Sequence, residues 1–219
     1  MKRIILAAFL SAQFSIASAA IGIFWDFEAL RDSEQSVLPA NTLYAFIADS
    51  NNDGILPDAE SLLDKTIAVG NEIEGNRIFL TGSTGAGGTA FGNANFQIQD
   101  DLGFLSTGDQ ANARWALYWF PGLTDSAPTL QAGASFGMFQ SDNVDTASGG
   151  FSAMRFPSQG SQVDVFYFDT ETLTGFGDTP TANTPSVSDF SANFTVIPEP
   201  SSVGLALLGV LGLMARRRR

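Results

Sequence analysis

From Ile21 onward the chain is made of short apolar and aromatic runs, each cut off within a few residues by Gly, Asn, Asp, Ser or Pro. This spacing constrains the fold more than any other feature. Phe, Tyr, Trp, Val and Ile suit a pleated, half-buried surface, and the breakers between the runs suit turns. Strands are expected at 24–29, 43–48, 77–80, 95–99, 115–120, 135–140, 152–156, 163–168 and 190–197. In "VDVFYFD" the alternation sets Val163, Val165 and Tyr167 on one face, with Asp164, Phe166 and Phe168 on the other. The expected fold is an all-β sandwich or jelly-roll-like domain. Its one helix is expected at Asp58–Lys65, "DAESLLDK", with acids in the first turn and Lys65 in the last, as the helix dipole prefers.

Two end segments stand apart from this pattern. Residues 1–20 carry Lys2 and Arg3, an apolar run from Ile4 to Leu10, and small residues from Ala17 to Ala20. That is the layout of a secretory signal peptide, with cleavage expected after Ala19 or Ala20, the alternative being a short buried helix. At the other end, Pro198-Glu199-Pro200 precedes an apolar run, Val203–Met214, and then Arg216, Arg217, Arg218 and Arg219. A helix of about 15 residues at about 1.5 Å each spans roughly 22 Å, short of the roughly 30 Å of bilayer hydrocarbon. With positive charge at both ends held on the cytoplasmic side, residues 21–197 would lie outside. The chain therefore divides into a signal peptide at 1–20, an acidic β domain at 21–197 and a tail at 198–219.

The ends also hide the charge of the body, which has five basic residues against 22 acidic ones, a net charge of −17 rather than the −12 of the whole chain. A field of that sign repels nucleic acid and attracts cations, so nucleic-acid binding is excluded as a function class. Cysteine and histidine are both absent. Disulfides cannot staple the fold, and the commonest general base and metal ligand is missing.

The order of triplet, short apolar helix and terminal arginines resembles the PEP-CTERM sorting signal of Gram-negative bacteria that make extracellular polysaccharide. The resemblance implies passage through the inner membrane, with the C-terminal helix as a temporary anchor. It further implies processing near Pro198–Pro200 by an exosortase-type membrane protease, then release or attachment at the cell surface. A plain tail anchor is the other reading of the segment. Within the body, "YAFIADSNNDG", "RWALYWFPGL" and "GASFGMFQSD" are similar to segments of secreted verrucomicrobial proteins that carry this tail; they imply a shared β domain and no activity.

The sharpest internal motif runs from Asp49 to Glu60 and fits the calcium-loop pattern D-x-[DN]-x-[DN]-G-x5-E throughout. Calcium takes six to eight hard oxygens, and this spacing gathers Asp49, Asn51 and Asp53 while Gly54 permits the sharp turn. Ile55 would offer its carbonyl and Glu60 would bind through both oxygens. The segment before it, "LYAFIA", reads as a strand, which favours one structural calcium loop on a β scaffold over a paired sensor. "NNDG" is equally a strong turn sequence, and a polar turn is the competing reading.

Other motifs carry less. "GAGGTA" at 85–90 fits a loose dinucleotide fingerprint, but a strand follows where a helix is required, so a hairpin loop is expected there. Acyl-transfer catalysis lacks its parts, with no histidine, no cysteine, no G-x-S-x-G and no S-x-x-K. A glycosidase needs only two carboxylates; Asp100 with Asp101 and Glu72 with Glu74 read more simply as solvated charges. Trp115 and Trp119 lie in an aromatic stretch that would stack on sugar if exposed beside a groove, and would be core if interleaved between sheets. The expected function is thus a non-catalytic surface or matrix protein, stabilised by calcium. The alternatives are a carbohydrate-binding module for extracellular polysaccharide and, third, a glycan-active enzyme.

Overall fold

The computed structural model describes residues 20–51, 54–55, 62–73, 75–97, 102–103, 105, 113–126, 128–141, 154–158, 160–168 and 191–196. Among these residues nine strands follow in chain order: β1 (Ala20–Glu28), β2 (Leu43–Ala48), β3 (Glu72–Ile73), β4 (Asn76–Ser83), β5 (Ala90–Gln97), β6 (Trp115–Trp119), β7 (Ser135–Phe139), β8 (Gln162–Phe168) and β9 (Phe194–Thr195). They form two sheets, one of three strands in the order β5-β1-β8 and one of six in the order β3-β4-β2-β6-β7-β9. The protein is all-β, as the run-and-breaker pattern predicts. All pairings are antiparallel except β1 with β8, which run parallel.

The two sheets meet through one aromatic core. Ile21, Ile23, Trp25 and Phe27 of β1, with Val163, Val165 and Tyr167 of β8, pack against Tyr44, Phe46, Phe79, Trp115, Leu117 and Trp119 of the larger sheet. The inward face of β8 is the one its alternation predicts. Phe46 sits at the centre, with its ring 5.0 Å from both Trp25 and Trp115. A polar bond also crosses between the layers: the Trp25 indole N–H donates to the Tyr44 hydroxyl at 3.3 Å.

Three strand pairs accommodate these rings by setting a glycine opposite each. Trp25 faces Gly92, Tyr44 faces Gly82 and Trp119 faces Gly137. The ring lies flat over the bare backbone, so a Cβ at Gly92 would come within 2.7 Å of the Trp25 ring. Trp119 also donates its indole N–H to the Arg31 carbonyl at 2.9 Å, which ties the segment after β1 to the core.

A second core covers the opposite face of the six-stranded sheet, where Ile55, Leu62, Ile67, Leu130 and Val196 pack on Ala45, Ile47, Ile78, Tyr118 and Phe136. Every residue of β2 and β6 is consequently buried. This is why "LYAFIA" and "WALYW" are unbroken apolar runs and not alternating ones.

Several expectations are corrected. The 85–90 loop is not a hairpin, because β4 and β5 belong to different sheets; a 3-10 turn at Ala86–Gly88 carries the chain across. Of the strand expected at 152–156, the described residues 154–156 carry an isolated bridge, Arg155 to Arg114; of that expected at 190–197, the described residues 191–196 form β9 and a bridge at Ser191. Of the helix expected at 58–65, Leu62–Asp64 forms a turn and 58–61 lies outside the described residues. Among the described residues no helix is long and apolar enough to cross a membrane.

Candidate functional site

The loop that follows β2 starts from a fixed point. The Asp49 N–H donates to the Arg114 carbonyl at 2.9 Å, which holds Asp49 at the mouth of the β2–β6 pair. Asp49 is buried, 4% exposed. Oδ2 accepts the Gly54 N–H at 3.1 Å, a bond that closes the chain from the first to the sixth position of the twelve-residue pattern. Gly54 makes that closure with φ of +94°, a left-handed conformation that favours glycine. Oδ1 is buried and accepts no hydrogen bond.

Neighbouring residues hold this corner in place. The Ser50 hydroxyl donates to the Gly75 carbonyl, and the Asn51 amide lies over Gly75, whose Cβ, if it had one, would meet Nδ2 at 3.2 Å. Ile55 turns inward, 5% exposed, into the second core. Ala48 pairs with Arg77 across the antiparallel β2–β4 ladder, so one further step sets Asp49 opposite Asn76. Asn76 is also 4% exposed, and its Oδ1 likewise has no hydrogen-bond partner.

Of the calcium ligands expected from sequence, the structure places Asp49, Asn51 and Ile55 on one tight loop, while Asp53 and Glu60 lie outside the described residues. Among the described residues no three Asp or Glu side chains converge. Asn76 is new to the site. Nothing in the local sequence marks it, because it is 27 positions from Asp49 and arrives through strand pairing.

A second polar feature lies on the outer face of β1. Asp26 and Glu28 project on the side away from the core, and burial, reinforced by Glu28, pushes the Asp26 carboxyl up to about 6. Its Oδ1 has no partner. On the same face Phe24 meets Phe91 edge-on at 5.4 Å, and Phe91 is 57% exposed. Asn93 and Asn95 stand exposed beside them on β5. Chemically this surface offers an apolar ring, amide groups and one carboxyl that exchanges its proton near neutrality. Trp115 and Trp119 are both fully buried between the sheets, so the reading in which they stack on sugar is overturned: the core needs their area more than a surface could.

The remaining sequence-derived sites fall at the margins of the fold. Ala20 opens β1, and its carbonyl accepts the Gly160 N–H at 2.9 Å; Ala19 lies outside the described residues. At the other end Val196 is 1% exposed; its N–H donates to the Ala134 carbonyl and its carbonyl accepts from Gly133. Pro198, Glu199, Pro200 and Arg216–Arg219 lie outside the described residues.

The described residues thus form an all-β domain of two sheets. Residues 196–219 match the PEP-CTERM protein-sorting motif, the kind of signal the tail resembles. The chain is thereby an exported protein with a sorting signal, of the type processed by exosortase, a membrane protease. No curated protein and no solved structure matches the chain.

Proposed function

We propose that this protein is exported, held briefly at the inner membrane by its tail, cut near Pro198–Pro200, and left at the surface or in the matrix of a Gram-negative cell as a non-catalytic β domain. The observation that carries this reading is the sorting motif at residues 196–219. Among the described residues both cores are built from side chains no later than Val196, so a cut near Pro198–Pro200 leaves those contacts whole. Removal of a leader after Ala19 would likewise leave the strand Ala20–Glu28 whole. The test is the intact mass of the protein recovered from envelope and medium of its native host. A species running from near Ala20 to between Pro198 and Ser202 supports the reading, and extra mass on it would mark attachment. A species still carrying Val203–Arg219 overturns it in favour of a lasting anchor.

A second reading, recognition of extracellular polysaccharide, is favoured by the Phe24–Phe91 pair with Asn93 and Asn95 on the open sheet. A flat ring stacks on the C–H face of a sugar, and adjacent amides bond its hydroxyls. Affinity electrophoresis in gels containing the host's own polysaccharide is the test. Retardation that Phe91→Ala abolishes supports this role, and equal mobility with and without polysaccharide removes it.

A further inference from the structure

A buried carboxylate oxygen, of Asp49, and a buried amide oxygen, of Asn76, both without hydrogen-bond partners, belong to the residues one step beyond the last pair of the β2–β4 ladder, Ala48 with Arg77. Leaving such groups unpaired in a protein interior is costly, and a carboxylate costs more than an amide. Side-chain alternation explains where they point. Ile47 and Ile78 are paired and both belong to the second core; Asp49 follows Ile47 by two residues and Asn76 precedes Ile78 by two, the same step along an antiparallel pair, so both fall on that face. The two oxygens thus lie on one side of the sheet, at the corner that the Asp49–Gly54 bond closes.

A buried water or a cation could satisfy both oxygens at once, and the calcium-loop pattern that begins at Asp49, with the acidity of the domain, favours the cation. We propose that Asp49 and Asn76 are ligands of a calcium ion seated at the start of the 49–60 loop, in a site built jointly by the loop and by the first residue of β4. Hard oxygens, one charged and one neutral, suit calcium over softer metals. Asp49 holds the first position of a calcium-loop pattern whose other members include Asn51 on the same described turn. The net charge of −17 over residues 21–197 adds a long-range field that draws cations toward the domain. What a loop motif alone does not contain is the ligand from β4. It makes the ion a clamp between a loop and the sheet, and this role is independent of how the chain is sorted.

The experiment is calcium titration of the full-length, detergent-solubilised protein after chelator treatment, followed by calorimetry and by thermal unfolding. For a site of the extracellular class, Kd is about 0.5 mM, so 10 mM calcium favours the native state about 20-fold. For a chain of this size that raises Tm by about 4–7 °C. Magnesium, which demands a small octahedral cage, should give a clearly smaller rise. Asp49→Asn keeps the acceptor for Gly54 N–H and removes the charge; it should abolish the calcium heat and the Tm rise. Asn76→Ala should weaken binding tenfold or more. The proposal is overturned if wild-type protein shows neither heat nor a Tm rise, which would leave ordered water as the partner of both oxygens. It is also overturned if Asp49→Asn or Asn76→Ala binds as the wild type does. Should either variant not fold, the wild-type titration alone still decides whether the ion binds, and terbium luminescence excited through Trp115, opposite Ala48 in the ladder, decides where.

Discussion

Replacing Gly137 with alanine tests the account of how the aromatic core is seated. Gly137 lies opposite Trp119, and a Cβ there would overlap Cε2, Cζ2 and Nε1 of the indole. Ordinary carbon contacts need about 3.5–4.0 Å, so the ring must move by about 1 Å or more. It has nowhere to go. Trp119 is fully buried among the residues that join the two sheets, and its N–H is committed to the Arg31 carbonyl. Overpacking of this kind costs about 2 kcal/mol, and losing the indole hydrogen bond adds about 1 kcal/mol. At about 2–4 °C per kcal/mol for a chain of this length, Tm should fall by about 6–12 °C. The assay is thermal and urea unfolding followed by near-ultraviolet circular dichroism, which reports the indoles directly. A double-mutant cycle isolates the cause: in a Trp119→Leu background the same glycine replacement should cost less than about 1 kcal/mol, because the obstructing ring is gone. If Gly137→Ala unfolds within about 0.5 kcal/mol of the wild type, or costs the same in both backgrounds, the glycine is not a seat for the ring and the packing argument fails.

Three further outcomes are expected. Because the Asp26 carboxyl is raised to about 6 in the fold, its contribution to stability is full below the unfolded value near 4 and is lost as pH climbs through about 6; Asp26→Asn should therefore gain stability over the wild type at pH 8 and not at pH 4, as urea midpoints at the two pH values will show. Tyr44→Phe removes the acceptor for the buried Trp25 N–H and should cost about 1–2 kcal/mol in the same unfolding assay, with no cost meaning that the 3.3 Å bond is not formed in solution. A chain stopped after Ile197 should melt with the full-length protein, whereas one stopped after Phe190 loses β9, the burial of Val196 and the Phe136–Phe194 stack, and should lose about 3 kcal/mol or more; equal melting of the two would show that β9 adds nothing.

Much of the strand content was legible because its signal is local. A strand shows its faces every second residue, and β2 matches its expected bounds while β8 buries Val163, Val165 and Tyr167 as the alternation requires. The bond from the Gly54 N–H to Asp49 was legible for a similar reason, since the two residues stand at fixed places on one stretch of chain. Boundaries failed where the signal was weak: β5 begins at Ala90, through the small and polar "AFGNAN", because pairing to β1 recruits residues that carry no strand pattern of their own. Trp115 and Trp119 could be surface or core on composition alone, and burial between two sheets decided it.

The sequence by itself determined an all-β body, an acidic field and a tail with a sorting motif, since each of these is written in residues that are near neighbours along the chain. Only the tertiary structure decided which strands share a sheet, that β1 and β8 run parallel, that β2 is covered on both faces, and that Asn76 comes to stand opposite Asp49. The physical reason is that backbone pairing is chemically alike for every strand. Partners are chosen by the collective burial of rings drawn from the whole chain, and a buried oxygen acquires its neighbour, or its need for an ion, only after that choice is made.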